Sequence, residues 1–137
     1  MTLMTLMKTF ALLARLTMLL PLTFSETKPP QRITAADAKN HVGEPATVCG
    51  TVVASRISGY SVGDRGKPIT FFLDKPEPNP VFIFVTLSSD PAKVEETKAG
   101  YDGKQVCVTG KITLVNNAPH IIAKEPSQIQ VQTGQKK

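Results

Sequence analysis

The chain has 137 residues, room for one domain and too few for two of ordinary size. Hydrophobic residues make up 41 %, Gly and Pro number 9 and 11, and Trp is absent, which suits a small β-rich domain with many turns. The formal charge is +5, too small a surplus to announce a polyanionic partner and compatible with a mixed solvated surface.

Residues 1–25 read as a secretory signal peptide. Lys8 and Arg15 precede the apolar run Leu16 to Leu22, acids are absent, and Thr23 and Ser25 suit the small positions of a cleavage site. Arg15 splits the apolar segment, and what remains is shorter than the roughly 20 residues a spanning helix needs. The expectation is therefore export with no membrane span after cleavage, and a mature chain beginning near Glu26. Residues 26–32, with Pro29 and Pro30, read as a flexible leader.

The expected domain covers residues 33–131. Thr34 is placed to cap a short helix, Asp37 makes a variant capping box, and Gly43 stops it. The first strand runs from about Ala46 to Ser55 and contains Cys49-Gly50. A Gly-rich loop from Arg56 to Pro68 follows, which predicts a mobile segment. The second strand is Ile69 to Leu73. A turn stiffened by Pro76, Pro78 and Pro80 leads to the third strand, Val81 to Leu87. Asp90 caps a second helix with Pro91 at its first position, and Gly100 ends it. The fourth strand, Gln105 to Leu114, contains Cys107 and Gly110. Asn116-Asn117 turns the chain into the fifth strand, Pro119 to Lys124. Gly50 and Gly110 mark places where a strand can bend or bulge. Alternation puts Phe71, Phe82 and Phe84 in the core. Residues 132–137 read as a disordered tail.

The order strand, strand, strand, helix, strand, strand is that of the OB-fold, an all-β, five-stranded Greek-key barrel with one or two short helices. Ile33 to Ala38 with His41 to Glu44, then Val48-Cys49-Gly50, Leu73 to Pro76 with Asn79, Val106 to Gly110, and Pro126 to Ile129 resemble a family of small exported bacterial OB-fold proteins. Similar domains are attached to some secreted nucleases. The resemblance implies a periplasmic or secreted binding module with nucleic acid, DNA included, as the loosely described ligand; an enzyme is not expected, because no Ser sits in a nucleophile-elbow context and the acids are scattered over turns and helix ends. In that family the position of Phe72 is often polar, which implies that it faces outward.

In such a barrel the first and fourth strands pair antiparallel, so Cys49 and Cys107 come opposite each other within reach of a disulfide. The other readings are two reduced core thiols or a redox pair, but no C-x-x-C occurs and no basic or His residue adjoins either cysteine in sequence. His41 and His120 are the only histidines, and with the cysteines they match no usual zinc spacing, so no metal or other cofactor is expected. His120 reads as a half-buried strand residue and His41 as a helix-end side chain. Asp74 beside Lys75 reads as turn chemistry rather than catalysis.

OB-folds bind across strands two and three and the adjoining loops. The candidate nucleic-acid residues are Arg56, Tyr60, Arg65 and Lys67 from the first loop, Phe72 from strand two, and Asn116 and Asn117 from the last turn. Basic groups could follow a single strand's phosphates while Tyr60 or Phe72 stacks a base. The alternative partner is an envelope protein or a glycan.

Overall fold

The computed structural model describes residues 19–23 and 28–133. The leader and its cleavage position therefore lie mostly outside the described residues. No helix among the described residues is long and apolar enough to cross a membrane.

The first surprise is at the start of the domain. Gln31–Thr34 form a strand, β1, parallel to residues 46–49 of β2 (Pro45–Ile57). Gln31 and Arg32 thus belong to the sheet and not to a loose leader. Ile33 explains it: its side chain is buried in register with Val48, so burial of one apolar residue draws its neighbours into the ladder. The expected helix is a single 3-10 turn, Ala36–Asn40. The Asp37 amide donates to Thr34 Oγ1 at 3.3 Å, and Gly43 ends the segment at φ +90°. The His41 amide donates to the Ala38 carbonyl at 3.0 Å, but its side chain bonds none of the last carbonyls; Nδ1 lies 2.7 Å from a Glu44 carboxylate oxygen.

The barrel is closed by pairing. β2 runs antiparallel to β3 (Lys67–Leu73) and to β5 (Gln105–Lys111). β3 pairs antiparallel with β4 (Phe82–Ser88), and β4 parallel with β7 (Ala118–Ala123). β7 pairs antiparallel with β6 (Thr113–Val115), the continuation of β5. Counting β5 and β6 as one strand, this is the five-stranded Greek-key OB-fold barrel. A last strand, β8 (Ile129–Val131), pairs antiparallel with β5, and the Gln132 amide still donates to the Gln105 carbonyl.

The fourth strand was expected to run unbroken to Leu114. It breaks at Ile112, whose buried side chain and backbone bonds to Gly43 and Glu44 replace strand pairing at the point where the chain leaves β2 for β7. Gly110 sits just before this bend. A Cβ there would lie 2.7 Å from Ile121 Cγ2, so only glycine lets β5 and β7 approach this closely. The bulge in β2 falls at Val53 rather than Gly50. Gly50 instead faces the Asp74 carboxylate, 3.0 Å from where a Cβ would stand. Asp74, at φ +64°, accepts from the Thr51 amide at 2.8 Å and donates its own amide to the Thr51 carbonyl. Its turn role thus extends across to β2.

Phe71, Phe82 and Phe84 are fully buried. Phe71 stacks on Phe84 with ring centroids 4.7 Å apart, and Tyr101 meets Phe71 edge-on at 5.5 Å. Tyr101 ends the helix α1 (Pro91–Tyr101), which covers one end of the barrel and is capped by Asp90 through the Ala92 amide at 3.0 Å. The helix runs one residue past Gly100, and Gly103 takes the left-handed conformation at φ +77°.

Just past the helix, Asp102 binds Lys98 Nζ at 2.8 Å and accepts a hydrogen bond from Ser55 Oγ of β2. Partial burial pushes the Asp102 carboxyl up, but the hydrogen bonds from Lys98 and Ser55 and the Lys98 charge pull it below its usual value. The same hydrogen bond and charge raise Lys98. A depressed carboxyl contributes stability that is present above its unfolded value, about pH 3.9, and lost as pH falls through the lower folded value. Asp102→Asn should therefore lower Tm by a few degrees near neutral pH, with the difference from the parent shrinking as pH falls through the lowered folded value. Thermal melts of both proteins across that range check it; a gap that stays constant with pH would assign the effect to packing.

Candidate nucleic-acid interface

Alternation along three strands leaves an outer face opposite the core. Phe72 of β3 pairs with Ile83 of β4, and Ile83 with His120 of β7. One step along, Arg56 of β2 pairs with Thr70, Thr70 with Val85, and Val85 with Ile122. These two cross-strand rungs floor an open trough of about 1570 Å³. The β2–β3 loop forms one wall through Tyr60, Val62 and Arg65. The proline turn between β3 and β4 and the β6–β7 turn supply Pro78, Pro80 and Asn116.

Five of the seven residues expected at a binding surface line the trough: Arg56, Tyr60, Arg65, Phe72 and Asn116. Lys67 does not. It shares the phase of Ile69 and Phe71, whose side chains are in the core, and so begins β3 on the other side from Thr70 and Phe72. Asn117 is also outside the lining. It holds the second left-handed position of the turn, φ +64° after Asn116 at φ +49°, as the Asn-Asn pair leads one to expect.

Phe72 needs the larger correction. It does belong to the outer face, but it is only 3 % exposed. Ile83 and Ala118 pack with it, joined by Ala54 and Val85, so it offers no open ring for a base to stack on. Tyr60, 66 % exposed, is the aromatic ring left for that role.

The electrostatics also differ from a count of basic residues in the loop. Arg56 is in an exposed ion pair with Glu77, 3.2 Å, from the proline turn. Arg65 is in no ion pair among the described residues, nor is Lys124, which follows β7 and also lines the trough. Both stand toward the same end. Gly66, next to Arg65, lies against Ser88 at the end of β4, and Lys124 follows Ala123, which pairs with Thr86 of the same strand. Lys124, Ile122 and His120 also line the trough, and alternation in the sequence marks them. Their partners in alternation, Ile121 and Ala123, are buried, which places the other three outward. His120 is half-buried, and its Nδ1 donates to the Ala118 carbonyl at 2.8 Å.

The loop wall has internal structure. Residues Gly63–Arg65 make a 3-10 turn, and the Val62 amide donates to the Gly66 carbonyl at 2.8 Å. Gly66 has φ +86°, and a Cβ there would collide with the Ser88 carbonyl oxygen at 1.7 Å. Glycine is required at that position for the loop to dock on β4.

No family model and no curated protein matches the chain. Among solved structures, a chain of an aspartyl-tRNA synthetase from Leishmania major Friedlin is similar over 82 % of this chain, at 13 % identity and a TM-score of 0.46. This chain spans about 23 % of that one's length.

Proposed function

We propose that the domain is an exported, non-catalytic binding module whose trough takes single-stranded nucleic acid. The observation that carries this is the placement of Arg65 and Lys124 at one end of an open trough walled by the exposed Tyr60. The two cations attract backbone phosphates, Tyr60 stacks a base, and the absence of a directional code on the floor makes binding sequence-tolerant. Export rests on the leader pattern and on the disulfide described below, which persists in oxidising compartments.

With two cations, and a third if Glu77 releases Arg56, log K for a single-stranded oligonucleotide should fall with log salt at a slope of about −1.4 to −2. The variant Arg65→Ala/Lys124→Ala should lose most of that slope, and Tyr60→Ala should weaken binding by about 1–3 kcal/mol with the slope kept. Fluorescence anisotropy across a salt series reads both. Equal binding by the double variant at low salt would remove the trough from consideration.

A second reading has its own support. The floor is aliphatic, with Ile122 49 % exposed beside Val85, and suits an apolar side chain of an envelope protein better than a base. Salt-insensitive capture of one such protein, together with no oligonucleotide binding at low salt, would favour it; binding to a glycan array instead would point to a sugar polymer.

A further inference from the structure

The disulfide does not lie in the core. Cys49 and Cys107 are directly cross-strand partners of β2 and β5, and their neighbours Val48, Val106 and Val108 occupy the inward positions. The bridge therefore sits on the outer surface of the barrel. Cys107 is 3 % exposed, while Cys49 is half-buried. A hollow of about 210 Å³ opens beside them, lined by Arg32, Gly50, Gln105, Val106 and Gln132.

Sequence neighbours offered neither cysteine a cation, but the fold supplies one. β1 lies parallel to β2 with Arg32 opposite Thr47 and Ile33 turned inward. Arg32 Nε donates to Cys49 Sγ at 3.2 Å, and Nη2 donates to Cys107 Sγ at 3.0 Å. Among the described residues no carboxylate forms an ion pair with Arg32. A guanidinium is a poor match for neutral disulfide sulfur and a good one for a thiolate.

We propose that Cys49–Cys107 is a thiol-exchange site for low-molecular-weight thiols, with Arg32 as the positioning residue for the leaving thiolate. The thiolate of a small thiol enters the hollow and attacks Cys49 Sγ, the more open sulfur. A mixed disulfide forms at Cys49. The Cys49–Cys107 bond breaks, and its electron pair goes to Cys107 Sγ, which leaves as a thiolate against Arg32 Nη2. A second small thiolate then attacks the sulfur of the small thiol in the mixed disulfide and releases Cys49. In sum the protein disulfide is reduced to two thiols, two small thiols are oxidised to one disulfide, and two protons pass from them to the cysteines. A leaving thiol of lower basicity departs faster, and the adjacent cation provides that.

Reduction of the full chain by glutathione tests this, with the rate followed by quenching in acid and counting alkylated thiols. Arg32→Met should slow reduction about tenfold, and Arg32→Lys should fall between it and the parent, since it keeps the charge but not the fork that reaches both sulfurs. A merely covering role predicts the reverse sign: removing the guanidinium would open the bridge and speed its reduction. Acceleration or no change in Arg32→Met would overturn the proposal, as would an Arg32→Lys rate as low as that of Arg32→Met. Mass mapping of the trapped mixed disulfide should place glutathione on Cys49. Glutathione on Cys107 would overturn the assignment of attacking and leaving positions.

Discussion

Phe71→Ala should lower the stability of the domain by about 3–5 kcal/mol, a large part of the roughly 5–15 kcal/mol that holds a domain of this size together. Phe71 is fully buried, and both its ring neighbours lose a partner when it goes. The stacked contact with Phe84 at 4.7 Å and the edge contact with Tyr101 at 5.5 Å tie β3 to β4 and to the end of α1. The core cluster that holds Phe71 is rich in β-branched side chains, Ile69 and Ile121 among them, which are stiff and relax poorly into a cavity. Phe72→Ala removes a ring of the same size from the next position, yet it should cost distinctly less. Its cluster is small and borders the trough, so water and a shift of Ile83 can fill the space. Urea unfolding of both variants gives the comparison. Equal losses would mean that the outer cluster is as much a part of the core as the barrel interior.

Replacing both cysteines, Cys49→Ala with Cys107→Ala, should cost about 4 kcal/mol in the chain-entropy model, because the bridge closes a separation of 58 residues. Most of that effect belongs to the unfolded chain, which the bridge keeps compact. The denaturant slope should therefore rise in the variant as the midpoint falls, since more surface is exposed on unfolding. A fallen midpoint at unchanged slope would point to lost contacts between β2 and β5 in the folded state. Changing both residues avoids leaving a lone thiol beside Arg32.

The parts of this fold that depend on neighbours in sequence were legible. Alternation identified Phe71, Phe82 and Phe84 as core, Asp90-Pro91 began the helix, and Asn116-Asn117 made the hairpin turn. The cysteine pairing was legible once the strand order was compared with an OB barrel. What was not legible depends on partners far along the chain. Gln31–Thr34 carries one inward apolar residue, too short a pattern to announce a strand, and its existence rests on the edge that β2 offers. The break at Ile112 follows from the barrel having to close, a demand that local preferences do not express. Phe72 was rightly placed outward, but its cover comes from Ile83 and Ala118 on other strands. Arg32 reaches the disulfide from 17 residues before Cys49, so a search of adjacent positions could not find it. The pairing of Arg56 with Glu77 likewise spans 21 residues and changes which cations remain available to a ligand.

Strand β7 separates two kinds of constraint at single-residue spacing. Ile121 and Ala123 answer to the interior, while His120 and Ile122, with Lys124 just past the end of the strand, face the trough. Substitutions at the second set leave interior volume untouched, so selection can act on them almost independently of folding. A lineage could then exchange one partner for another through a few changes at alternate positions of one strand. For the same reason a library randomised at residues 120, 122 and 124 is a practical starting point for redirecting this barrel to a chosen target.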